Sequence, residues 1–230
     1  MAVEERKETD DVAGAARAAQ SPIDDGAHDT AADLQPDDGT DSETYDEEPA
    51  PPPADIADLA AACVRFIGAR YGATLDFDPD TLSFVDQWVR DARAEIARRP
   101  EAVDVVQSAA GAYLGEVIRR AFGGTWVTGG EVADWRLCLS RVFCAFNPIG
   151  MVREALLLDT ADGWHGHFQL DPGERDEIEQ RLAALPPVED DEFFAPSTRF
   201  DVTEIVVAAL LADMQARGLA DVRFGAEDYA

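Results

Sequence analysis

The sequence predicts an α+β fold in which helices pack on a small antiparallel β-meander. Three observations carry this. Apolar residues recur at three- and four-residue spacing from Ile56 onward, the mark of amphipathic helices. Between Thr125 and Phe146 the apolar period changes to two, the mark of strands. Helical spacing then returns and continues almost to the end. Helices, a short sheet and more helices point to a sheet with helices on one face.

Ahead of this body, residues 1–53 hold 16 acidic and three basic residues (Arg6, Lys7 and Arg17), with Tyr45 as their single aromatic. Such a segment buries too little apolar surface to offset chain entropy, so a disordered acidic arm is expected. It closes on the proline-rich stretch Glu47 to Asp55, a stiff spacer. The arm is read either as a solubilising tail or as an element that docks on a basic partner. Residues 54–230 form the single folded domain.

Each element of that domain has a local cause. Ile56, Ala60, Cys63, Val64, Ile67 and Tyr71 share a helical face, and Gly72 ends the helix. Asp78-Pro79 opens a second helix, with Asp as cap and Pro in the first turn. A third runs from about Glu101 to Phe122 and stops at Gly123-Gly124. Three strands follow at 125–128, 135–140 and 142–146. If Ser140-Arg141 is a two-residue turn, Leu137 faces Cys144 and alternation sets Cys138 and Cys144 on opposite faces, which forbids a disulfide. Asn147-Pro148 opens a helix to about Leu158, and Asp171-Pro172-Gly173-Glu174 opens another. The last helix spans about Asp201 to Arg217, and 221–225 is either an edge strand or a trailing segment.

The formal net charge is -28, of which residues 1–53 supply -13 and residues 54–230 the remaining -15. A field of this sign repels a phosphate backbone or an anionic membrane and attracts basic proteins. A protein partner, basic in character, is therefore expected, with no nucleic acid and no membrane. No apolar run approaches the length of a membrane span, and the first residues lack the apolar stretch of a secretory signal. A cytoplasmic chain with three reduced cysteines, Cys63, Cys138 and Cys144, is the resulting expectation.

Two stretches then become informative together. "AGAYLGEVIRRAFGGTWV" (110–127) leads into "WRLCLSRVFCAFNPIGMVREAL" (135–156). With "LDFDPDTLSFVDQWV" (75–89) and "LPPVEDDEFF" (185–194), this layout resembles a family of uncharacterised bacterial proteins. The resemblance runs from Ala54 to the C-terminus and implies the fold alone; it brings no activity, cofactor or site residue.

Three groups are candidates for chemistry. His165 and His167, in "GWHGHF" (163–168), point to the same side of an extended segment and can share a metal ion, with nearby carboxylates completing a hydrolase site. The alternative is two solvent-facing histidines on a loop loosened by Gly163 and Gly166. Glu116 is a possible functional carboxylate, or else the partner of Arg119 or Arg120 beside the small-residue groove of Gly111 and Gly115. Glu189, Asp190, Asp191, Glu192, Phe193 and Phe194 form a possible interaction loop, or a loop whose aromatics tuck onto the core. The Asn147-Pro148 helix start is also a place where an anion can sit, unless Asn147 caps it. There is no G-x-S-x-G, P-loop or G-x-G-x-x-G. These features point to a non-enzymatic interaction module without a cofactor. The alternatives are a metal-dependent hydrolase using His165 and His167, and an acidic mimic of nucleic acid that binds a basic protein.

Overall fold

The structure, a computed structural model, describes residues 51–229. The acidic arm expected at 1–53 lies outside these residues apart from its last three prolines.

α3 (Ala102–Phe122) is the axis of the fold. It is buried on nearly every side, from Val106 through Arg119, as a central rather than an amphipathic helix must be. α1 (Ala54–Tyr71) and α4 (Pro148–Leu157) pack along it, and α2 (Leu82–Ile96) and α7 (Pro196–Ala216) close the layer. The expected terminators act as read. Gly72 is left-handed at φ 69° and returns its N–H to Gly68. Asp78 caps a 3-10 turn, Pro79–Thr81, that leads into α2. Asn147 caps α4 with its side-chain oxygen on two amides, those of Ile149 and Gly150.

The sheet is an antiparallel array of β1 (Thr125–Val127), β2 (Arg136–Cys138), β3 (Cys144–Phe146) and β4 (Gln169–Leu170), in that order. β4 is an addition to the three expected strands. It returns after α4 to pair with β3, so only the first three strands form a simple meander. Its two residues are too few to display a period in the sequence. Trp126, Leu137 and Phe146 align across the strands and face α3, and Phe168 meets Phe146 edge-on at 5.3 Å.

The hairpin register differs from a two-residue turn. Leu137 pairs with Phe146 and Cys138 with Ala145, which leaves residues 140–143 as a four-residue loop. The cause lies at the far end of the chain. The Tyr229 hydroxyl donates to the Leu139 carbonyl at 2.6 Å and accepts the Cys144 N–H at 3.1 Å, and its ring stacks on Phe143 at 4.7 Å. Phe224 donates its N–H to the Ser140 carbonyl. Residues 221–225 thus act as a clasp on this loop and not as an edge strand. A register slip of two residues preserves sidedness, so Cys138 and Cys144 still occupy opposite faces, and all three thiols are free and buried.

α7 starts at Pro196, five residues earlier than its apolar period suggests. Pro196 fills the first turn, and the cap comes from another helix. Asp86 on α2 accepts the Ser197 amide at 3.0 Å and the Ser197 hydroxyl at 2.5 Å. Burial nevertheless raises the Asp86 pKa above the ordinary carboxylate value, the Ser197 hydrogen bonds opposing it.

α3 meets its neighbours at two glycines. A Cβ on Gly111 would overlap the Ile149 backbone, and one on Gly115 would overlap the Trp126 ring. Trp126 is therefore seated against the α3 backbone at Gly115 and is 5 % exposed. Replacing it with Ala should destabilise the protein by about 3–5 kcal/mol, as large core aromatics do. Urea unfolding measures this, and a change near zero would show that the ring is not packed there.

Burial also sets the thiol chemistry. It pushes Cys63 up to about 12, Cys138 up to about 11 and Cys144 higher still. Only thiolates react readily. At neutral pH an aromatic disulfide reagent should therefore modify all three slowly in the folded protein and rapidly in denaturant. Fast reaction of any one thiol in the native state would show that it is not buried.

Candidate functional site

Glu116 is 1 % exposed and its carboxylate is filled from within the fold. Arg119 grips both oxygens at 2.9 Å, and the Trp126 indole N–H donates to Oε1 at 2.9 Å. Arg120 turns away and stacks over Phe77 at 3.7 Å. This network ties α3 to β1 and engages both carboxyl oxygens of Glu116.

The interaction loop divides in the same way. Asp190–Phe193 form a short helix, α6. Asp191 pairs with Arg93 and with Arg90 on α2, and the Arg93 hydrogen bond is the first cause of its depressed pKa. Phe194 is 8 % exposed and lies under Arg199, whose guanidinium also stacks on Phe193 and pairs with Glu154 at 3.0 Å. Glu189, Asp190, Glu192 and Phe193 face solvent. Asp191 and Phe194 fasten the loop to α2 and α7.

His165 and His167 do lie together, with ring centroids 6.1 Å apart. Their loop is held against the start of α4 at Trp164 and His165. Asn147 donates its N–H to the His165 carbonyl at 2.9 Å, and the Trp164 carbonyl sits where a Cβ on Gly150 would be. His165 takes a left-handed φ of 51°. Its imidazole pKa is lowered, first by burial and then by Arg136 and His167. Both rings line a hollow of about 210 Å³ with Arg136, Arg175 and Gln169, walled by Phe146 and Phe168. Two guanidiniums there repel a cation. Among the described residues no group of three or more His, Cys, Asp or Glu gathers to hold a metal. The Asn147 helix start is spoken for by its own cap.

A larger hollow was not singled out from the sequence. It measures about 560 Å³ and lies between α5 (Pro172–Ala183), α7 and the C-terminal segment. Phe143, Ile178, Leu210 and Met214 make an apolar floor. Asp171, Glu174, Glu177 and Asp213 stand around it against a single cation, Arg217. Arg217 bridges Asp213 at 2.9 Å and Glu174 at 3.2 Å. Glu174 has its pKa raised, first by burial and then by Asp171 and Asp213. The spacing of Asp171, Glu174 and Glu177, three apart, does place them on one helical face. What the sequence hides is that α7 brings Asp213 to the same rim.

Comparison with protein-family models, with curated proteins and with solved structures finds no match in any of the three. No helix among the described residues is long and apolar enough to cross a membrane.

Proposed function

We propose that this chain is a non-enzymatic protein-interaction module, and that the hollow between α5 and α7 is where a basic partner docks. The observation that carries this reading is the apolar floor ringed by four carboxylates and one arginine. An apolar side chain of the partner enters the hollow and flanking Lys or Arg side chains meet the rim. The apolar contact supplies affinity, and the charges supply steering and register. In a chain of net charge -28 the long-range field adds to that steering. A cationic side chain on the rim opposes the burial and the neighbouring carboxylates that raise the Glu174 pKa, so binding favours the ionised carboxyl.

Fluorescence anisotropy with a Lys/Arg-flanked Leu/Phe peptide tests this, with oligolysine of equal charge as the comparison. The amphipathic peptide should bind about tenfold more tightly than oligolysine, and both should weaken as salt screens the rim. Glu174→Gln with Glu177→Gln should cut its affinity by about tenfold. Equal binding of oligolysine would favour bare charge mimicry, and indifference to the double variant would remove the site.

The sign of the pH dependence follows from the raised Glu174 pKa. Where Glu174 titrates, the free protein holds more of its proton than the complex does. Affinity for the basic peptide should therefore rise as pH increases from about 4.3, the ordinary Glu value, toward neutrality. A pH-independent affinity across that range would show that Glu174 does not face the partner.

A further inference from the structure

The histidine hollow is chemically the opposite of its surroundings. Arg136, Arg175, His165, His167 and Gln169 line it and no carboxylate does. Four other hollows on the same body each include at least one Asp or Glu. A chain with 47 acidic and 19 basic residues would place a carboxylate in such a lining by default.

We propose that this hollow is a binding site for a small dianionic oxyanion, a phosphate or the phosphoryl group of a small molecule. Arg136 rises from β2 on the face of the sheet opposite α3, beside Ala145 of β3 and Gln169 of β4. Arg175 comes from the first turn of α5. Arg136 spends Nη1 on the Ala133 and Trp135 carbonyls and so holds its remaining N–H groups in a fixed direction. Two guanidiniums match the charge of a phosphate dianion, and their forked donors match its oxygens. The imidazole N–H groups and the Gln169 amide add further donors. Asp134 acts on Arg136 and His165, Glu154 acts on His167, and Glu179 shares a neighbouring hollow with Arg175 and His167. None of the three lines this cavity, and Glu154 is already paired with Arg199.

Size narrows the ligand. The hollow measures about 210 Å³ and opens to solvent, so it seats a phosphate group and leaves the rest of any larger ligand outside. Phe168, which is part-exposed at this hollow, gives an apolar edge suited to the short carbon part of a phosphate monoester.

The site is independent of the acid-rimmed hollow, and its test is separate. Inorganic phosphate is titrated into the full chain at constant ionic strength, followed by calorimetry and by backbone amide shifts. Saturable one-to-one binding is expected, with shifts centred on residues 165–169 and on Arg136. Arg175→Gln alters an exposed side chain and should weaken binding by about tenfold without changing the thermal midpoint; Arg136→Gln should do the same or more. Acetate, a monoanion, should bind about tenfold more weakly than phosphate. Three results would overturn the proposal. These are shifts that grow linearly with phosphate, unchanged affinity in Arg175→Gln, or zinc shifting the same amides more tightly than phosphate does.

Discussion

The fold depends on how closely α3 lets its neighbours approach. Gly111 and Gly115 remove two side chains from one face of that helix, so the start of α4 and the Trp126 ring sit against bare backbone. The next residue is a buried carboxylate, and the indole N–H that Gly115 admits is one of its hydrogen-bond donors. Close packing and charge compensation are therefore one event. Without the glycine the ring cannot reach Glu116. Without the ring, Oε1 keeps only the Arg119 bond of the two donors that now reach it. Leaving a buried charge short of partners is costly, whereas a fully bonded one adds specificity more than stability. The sheet is fixed to the helical layer at this point.

A second buried pair repeats the logic on the other side of α4. Glu154 and Arg199 join α4 to α7, and the Arg199 guanidinium is covered by Phe193 and Phe194. Burial raises the Glu154 pKa, with Arg199 opposing it, and lowers that of Arg199. The two directions agree: each charge is held in a poor medium by the other. The aromatic pair that ends the acidic loop is thus committed to α7 as much as to solvent. This limits how much of that loop is free for a partner.

Local chemistry was legible in the sequence; contacts across the chain were not. The helices with their own caps, at Asp78, Asn147 and Asp171, stand where their caps place them. α7 does not, because its cap is Asp86, 111 residues away. The hairpin loop is four residues long because Tyr229 holds it, and a tyrosine at the far end of the chain leaves no mark on residues 140–143. The three-strand reading missed β4 for want of residues to show a period. The sites follow the same division. His165 and His167 are visible as a pair because they are neighbours. Arg136 and Arg175, which reverse the charge of the hollow from what a metal would need, come from a strand and a helix on either side of them.

The two hollows show why net charge is a poor guide to a small ligand and a good one to a macromolecule. At physiological salt the Debye length is about 8 Å, so acids farther away than that add little inside the histidine hollow. Within contact distance the lining decides, and there it is cationic. A protein partner approaches from well beyond that length and meets the summed field first, which is strongly negative. Only at contact does it sense one rim or the other. A single acidic body can thus present a site for a phosphate on its sheet and a site for a basic segment between α5 and α7.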